Sequence, residues 1–186
     1  MKTYRLIGAL VLLGLGLSQT SPFKARLEAA IRAGGEEFAQ VMLGQDEGQR
    51  LCTQYRDKIP AELLPGFLEA QKKLIRYPKD GKLVGDWRNG EKVFTDPRRG
   101  NCYACHQGDP REVAYGTMGP SLTGYGAQRG SSEAVVRYTY EKIYNAWAFV
   151  PCSLMYRGGV HGLFTPEETA DLVAFLLDPE SPINRR

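Results

Sequence analysis

The sequence predicts an all-α protein, and two patterns support this prediction. Near the carboxyl terminus, apolar residues recur at helical spacing: Ala170, Val173, Leu176 and Leu177, with Leu172 and Phe175 beside them. The alternation of apolar and polar residues that marks half-buried β-strands is almost absent. The 186-residue chain is 42% hydrophobic and 24% charged, which is usual for a soluble globular protein of one domain or slightly more.

The carboxyl-terminal helix has a recognisable start. Thr165 is the expected N-cap and Pro166 takes the first helical position. Glu168 follows the cap by three residues, so the two side chains can form a capping box. These residues fix the beginning of the helix that carries the apolar stripe.

Two further helices are predicted before it. The segment GDWRNGEKVFTD forms a short helix in which Gly90 and Phe94 are four residues apart and share a face. Because glycine has no side chain, we expect this helix to cross the carboxyl-terminal helix closely at Gly90. The segment SSEAVVRYTYEKIYNAWAF forms another helix, with a cap at Ser131 or Ser132.

The amino terminus resembles a Sec signal peptide over residues 1–20. Lys2 and Arg5 precede an apolar run from Leu6 to Leu17, and small and polar residues follow. This run is short for a transmembrane helix, so we expect export to the periplasm and no membrane span after cleavage; an uncleaved anchor is the alternative. The whole chain has 24 basic and 21 acidic residues. Removing the segment takes away two basic residues and no acidic ones, so the net charge of the remaining chain is 22 − 21, or +1. That charge gives no reason to expect a nucleic-acid partner.

The sequence NCYACH holds two of the four cysteines and one of the two histidines. A zinc site needs about four ligands, and no second pair of ligands follows the motif. A thioredoxin-like redox pair would lie in a βαβ pattern, which is missing here. The remaining interpretation is one covalently bound heme c, with Cys102 and Cys105 bonded to the porphyrin and His106 on the iron.

The second iron ligand must come from another part of the chain. Met155 lies 49 residues after His106, far enough for a helix to carry the chain to the other heme face. We therefore favour Met155 over His161, which is the alternative imidazole ligand. Met118, only twelve residues after His106, should stay on the same side as that histidine and serve in packing. The Pro120 carbonyl is a candidate acceptor for the other ring N–H of His106.

Residues 21–80 form a predicted helical extension before the heme domain at residues 81–186. Within it, Phe67, Leu68, Leu74 and Ile75 suggest an apolar face, and packing on the same protein is the simplest use for it. Cys52 lies in the extension and Cys152 just before Met155. In an oxidising compartment these two could form a disulfide; an intermolecular bridge or a free thiol is the alternative.

The order of helix, CxxCH, proline loop, helix, methionine loop and helix resembles class I cytochromes c. Four longer segments resemble the SoxX family, the monoheme subunits of SoxAX thiosulfate-oxidising complexes. They are YPKDGKLVGDWRNGEKVF, GNCYACHQGDPREVAYGTMGPSLTGYGAQRG, YTYEKIYNAWAFVPCSLM and DLVAFLLDPESPIN. The family usually continues its methionine as Met-Pro-Arg-Phe-Gly. Here Tyr156 and Gly158 replace the proline and phenylalanine, while Arg157 matches.

The resemblance implies a class I cytochrome c fold with an N-terminal helical extension and axial ligands His106 and Met155. It also implies an enzyme role, as the electron-accepting subunit of an L-cysteine S-thiosulfotransferase whose catalytic centre lies on a SoxA-type cytochrome partner. A sulfur-carrier protein would be the indirect partner, and a downstream cytochrome c the electron acceptor. A free monomeric electron carrier is the main alternative, and a heme enzyme or gas sensor with an open iron position is another.

Overall fold

All regular secondary structure in residues 21–185, the part of the chain described by a computed structural model, is helical. The predicted signal peptide lies outside these residues. The α-helices are α1 (Pro22–Ala33), α2 (Glu36–Leu43), α3 (Glu47–Tyr55), α4 (Leu64–Lys73), α5 (Trp87–Thr95), α6 (Tyr125–Arg129), α7 (Glu133–Tyr144) and α8 (Pro166–Leu177). Single-turn 3₁₀ helices span Cys102–Ala104 and Ala146–Ala148. Within the described residues, no helix is both long and apolar enough to cross a bilayer.

The chain divides into two compact units, the first ending at Gln45 and the second beginning at Asp46. The first contains α1 and α2, which pack against each other. The second contains α3 to α8. The predicted boundary between residues 80 and 81 falls inside this second unit, so α3 and α4 are part of the same body as the predicted heme domain.

Long-range contacts explain why α3 and α4 belong to the second unit. Phe67 of α4 is buried and its ring centroid lies 6.2 Å from that of Trp147. Asn145 is fully buried and donates from Nδ2 to the Gln71 carbonyl at 2.8 Å. Ile75, just after α4, is part of the main hydrophobic core. The apolar face predicted in this segment therefore packs on its own protein, although Leu74 remains 37% exposed.

The crossing of α5 and α8 is the centre of the second unit. A Cβ at Gly90 would overlap the Asp171 carbonyl oxygen, which confirms the close approach predicted at this glycine. The Gly85 N–H also donates to the Ala170 carbonyl at 2.9 Å. Phe94 of α5 packs on Phe175 of α8, with ring centroids 5.0 Å apart. The close packing of these two helices helps to position the cysteine motif, which follows α5 in the chain.

The caps of α7 and α8 agree with the sequence. Ser132 is the N-cap of α7, and its Oγ accepts from the Val135 N–H. Thr165 and Glu168 form the predicted capping box, with Pro166 as the first residue of α8. Every residue of the predicted α8 stripe is buried: Ala170, Leu172, Val173, Phe175, Leu176 and Leu177. Local hydrogen bonding thus starts each helix, and the core then buries its apolar face.

Candidate heme site

The cysteine motif is folded into a single tight turn after α5. Asn101 takes a left-handed backbone conformation, φ 42° and ψ 43°, which asparagine tolerates better than most residues. The Cys102 carbonyl then accepts from the N–H groups of Cys105 at 3.1 Å and His106 at 2.8 Å. This turn brings both cysteines and the histidine to the wall of one cavity.

That cavity has a volume of about 600 Å³, within the range of sites for organic cofactors. Most of its lining is apolar or aromatic: Phe94, Met118, Pro120, Leu122, Tyr125, Tyr138, Ile143, Val150, Leu154, Met155, Tyr156, Phe164, Leu172 and Leu176. The described residues that line it include no aspartate and no glutamate. A large, flat, apolar group fits such a wall better than a hydrated ion does.

The His106 ring is fixed by the loop that follows it. Its Nδ1 donates to the Pro120 carbonyl at 2.7 Å, because a carbonyl oxygen can only accept. A Cβ at Gly119 would overlap the ring, so only glycine fits beside it. With the proton on Nδ1, the Nε2 lone pair is free to bind a metal, as in histidine ligands that donate to a carbonyl.

The two motif cysteines are free thiols, and the surroundings of Cys102 do not suit a redox-active thiol. Burial raises the pKa of the Cys102 thiol to about 12, and a hydrogen bond with Tyr156 only partly opposes this. Reactive cysteines have a lowered pKa instead. Cys102 is therefore a protonated thiol at neutral pH, and the motif differs from a thioredoxin-like centre.

The structure distinguishes between the candidates for the second iron ligand. Met155 lines the cavity that His106 lines. His161 is not among the cavity residues; its Nε2 lies 3.1 Å from the Arg157 guanidinium. Met118 precedes the glycine that packs on the His106 ring, so it is on the histidine side, as predicted. It lines the cavity and is 66% exposed.

The segment that carries Met155 is held from two directions. The structure joins Cys152 to Cys52 of α3 through a disulfide, with 5.6 Å between the Cα atoms. Trp147 donates from Nε1 to the Ser153 carbonyl at 2.8 Å, and Ser153 Oγ accepts from the Met155 N–H at 3.1 Å. The candidate ligand thus follows directly after a covalent and a hydrogen-bonded anchor.

A buried arginine forms a third anchor two residues after Met155. Arg157 is 1% exposed, and its guanidinium donates to Asp46 Oδ2 at 2.6 Å and Gln71 Oε1 at 3.1 Å. It also lies over the Trp147 ring, 4.1 Å from the centroid. Asp46 and Gln71 were not identified from the sequence. The arginine in the methionine motif was a usable signal, but its partners lie more than 80 residues away.

Tyr156, which directly follows Met155, contacts the segment that carries the cysteine motif. Its hydroxyl donates to the Gly100 carbonyl beside the cysteine motif. The side chain lines the cavity next to Cys102, and burial raises the pKa of its hydroxyl. The tyrosine therefore links the methionine segment to the cysteine segment across one edge of the cavity.

The donor set fits a heme of the c type. Two free thiols at CxxCH spacing would hold the porphyrin edge, and His106 Nε2 would bind the iron. Met155 supplies a thioether, the second donor usual for electron carriers of this class. The apolar lining would exclude water from the ring faces. The described residues also contain a cluster of Cys52, Cys152 and Asp57, but its sulfur atoms are already joined in the disulfide.

Comparison with known proteins agrees with this site. A family model described as cytochrome c matches residues 87–178, which contain the cysteine motif, Pro120 and Met155. The chain is also 45% identical over 169 residues to an uncharacterized lipoprotein of Aquifex aeolicus strain VF5, with 81% of this chain and 78% of the relative covered. The family match and the helical structure confirm the predicted fold class, an all-α class I cytochrome c fold. Residues 87–178 are thus a cytochrome c domain, the kind of domain found in heme proteins that transfer electrons.

Proposed function

We propose that this chain is an exported, one-heme c-type cytochrome that serves as the electron-accepting subunit of a SoxAX-type enzyme. Cys102 and Cys105 hold the heme through thioether bonds. His106 and Met155 would supply the two protein ligands of its iron. The heme, when bound, supplies a one-electron couple, and the protein's residues set its position and exclude solvent.

One observation carries the electron-transfer part of this proposal. The two free thiols, the His106 imidazole and the Met155 thioether all line one apolar cavity. A thioether stabilises ferrous iron and raises the reduction potential, which suits an electron acceptor. With Met155 as a ligand, no iron position is left for a substrate or a gas, so a carrier is favoured over a heme enzyme or sensor.

Export is supported by two features. The relative in Aquifex aeolicus is described as a lipoprotein, a class of exported protein. The Cys52–Cys152 disulfide suits an oxidising compartment such as the periplasm. Both agree with the predicted Sec signal peptide.

The thiosulfate role rests on the resemblance to SoxX. In that role the chain accepts electrons from a SoxA-type cytochrome, where thiosulfate is oxidatively joined to a cysteine of a sulfur-carrier protein. It then passes them to a downstream cytochrome c. In this proposal the catalytic centre lies on the partner.

Native purification from the periplasm tests the proposal. The complex is isolated at low salt, stained for covalent heme after denaturing electrophoresis, and identified by mass spectrometry. We expect a stoichiometric second c-type cytochrome, and reduction of this chain's heme when thiosulfate and the carrier protein are added. A lone heme-stained monomer that still reduces a downstream cytochrome would support the free-carrier alternative. A chain without covalent heme would contradict both.

A further inference from the structure

The Gly100 carbonyl beside the cysteine turn depends on a single hydrogen bond. Gly100 is buried between α5 and that turn, and a Cβ there would overlap the Val93 carbonyl, so its peptide has little room to turn. Among the described residues, only the Tyr156 hydroxyl donates to the Gly100 oxygen. A buried carbonyl without a donor costs free energy, so moving Tyr156 away has an energetic consequence.

Tyr156 makes this hydrogen bond at the wall of the cavity. A tyrosine hydroxyl has one proton to donate, and here the acceptor is the Gly100 oxygen. The tyrosine ring lies 6.3 Å from the Phe164 ring, measured between centroids, and the side chain lines the same cavity as Met155. The donor is therefore the residue next in the chain to the candidate iron ligand.

A second contact joins the same two segments nearer the surface. Arg99 Nη2 donates to the Leu163 carbonyl at 3.2 Å and to Glu168 Oε2 at 2.5 Å. The Arg99 side chain is 40% exposed, so solvent screens its ion pair. Both acceptors are farther along the chain from Met155 than Tyr156 is. The tyrosine hydrogen bond is therefore the contact that responds most directly to the position of the methionine.

We propose that Tyr156 is a positioning residue, whose hydrogen bond to Gly100 keeps Met155 where it can bind the heme iron. This inference rests on the proposed function, because it requires Met155 as a ligand. Neighbouring Cα atoms are about 3.8 Å apart, so the backbone of Met155 cannot withdraw from the cavity without moving Tyr156. That movement breaks the hydrogen bond and leaves the buried Gly100 carbonyl unpaired. The cost favours the arrangement in which Met155 stays on the cavity wall.

An added ligand that competes with Met155 measures this effect. Imidazole binds the ferric iron only after the methionine sulfur has left, so its apparent affinity reports how often that position is open. Replacing Tyr156 by phenylalanine removes the hydroxyl and keeps the ring. We expect Tyr156→Phe to bind imidazole about three- to tenfold more tightly than the wild type, the range that one neutral hydrogen bond contributes to an equilibrium constant.

The test is an absorption titration of the ferric, heme-loaded full chain with imidazole. Tyr140→Phe is the matched control, because the Tyr140 hydroxyl also donates to a backbone carbonyl, that of Arg76 at 2.7 Å. Tyr140 is fully buried and is not among the residues that line the cavity. Both variants lose the same kind of bond, so a purely structural role would affect them alike. We expect only Tyr156→Phe to lose the absorption band of methionine-bound ferric heme at a lower imidazole concentration.

Each outcome decides the inference. Equal imidazole affinities in heme-loaded Tyr156→Phe and Tyr140→Phe would overturn it and leave the proposed function intact. A wild-type chain without covalent heme, or without the methionine–iron band, would overturn the proposed function and this inference together. If Tyr156→Phe takes up no heme, nuclear magnetic resonance of the ferrous wild type decides. The Tyr156 hydroxyl proton should then exchange slowly with water, and faster once carbon monoxide displaces Met155; an unchanged exchange rate would overturn the inference.

Discussion

The substitution Asp46→Asn should weaken the anchor of the methionine segment. Asparagine can keep the N-cap role, in which Oδ1 accepts from the Gln49 N–H at 2.9 Å. It cannot keep the charge that Oδ2 offers to Arg157 at 2.6 Å. Arg157, which is 1% exposed, would remain buried and would lose the carboxylate that balances its charge.

The magnitude follows from how buried each partner is. Removing one member of a fully buried ion pair costs about 3–5 kcal/mol. The Asp46 side chain is 38% exposed, so water already screens the pair from one side. Gln71 and the Trp147 ring also continue to stabilise the cation. We therefore expect a loss of about 2 kcal/mol, which is within the range for a hydrogen bond to a charged group.

Urea unfolding of the heme-loaded chain at pH 7, followed by circular dichroism, measures this loss. Glu47→Gln is the control, because Glu47 pairs with Arg50 on the exposed side of the same helix turn and its removal should not change the unfolding midpoint. If Asp46→Asn and Glu47→Gln unfold at the same urea concentration, the Arg157 anchor does not stabilise this segment.

The pH dependence gives a second check on the same pair. Burial alone would raise the Asp46 pKa, but the Gln49 N–H and the Arg157 guanidinium together hold it below its ordinary value of 3.8. The contribution is therefore complete above that value and is lost as pH falls through the lower, folded-state pKa. The difference between wild type and Asp46→Asn should therefore shrink in strong acid, where Asp46 becomes protonated.

Three other predictions follow from the same unit. Replacing Cys52 and Cys152 by serine should lower the free energy of unfolding by about 2–4 kcal/mol, measured by urea unfolding, since the bridge closes a long loop; an unchanged midpoint would contradict this. Burial and the nearby Arg157 cation lower the His161 pKa, so wild-type stability should fall as pH drops below 6.5, and His161→Gln should remove that dependence in thermal melts. Gly90→Ala should cost about 1–3 kcal/mol in chemical unfolding, because its methyl group would overlap the backbone of α8; a wild-type midpoint would show that the crossing can relax.

The sequence by itself determined the features that depend on neighbouring residues. The capping box at Thr165 and the start of α7, predicted at Ser131 or Ser132, each use hydrogen bonds within a few residues, so local spacing was enough to predict them. The apolar stripe of α8 and the glycine at the α5–α8 crossing were also predictable, because helical periodicity fixes which side chains share a face. The separation of Met155 from His106 favoured it as the second ligand, the resemblance to a family implied the same residue, and the structure places it on the cavity wall.

Only the tertiary structure decided which distant groups meet. Asp46 and Gln71 approach Arg157 from separate helices, and no sequence spacing encodes that meeting. The same contacts put α3 and α4 into the body that holds the cavity, although the sequence-based boundary had placed them in an extension that ends at residue 80. Lys142 and His161 show the reason most clearly. Both are polar residues in ordinary helical or loop sequence, and packing alone put one on the cavity wall and the other against a buried arginine.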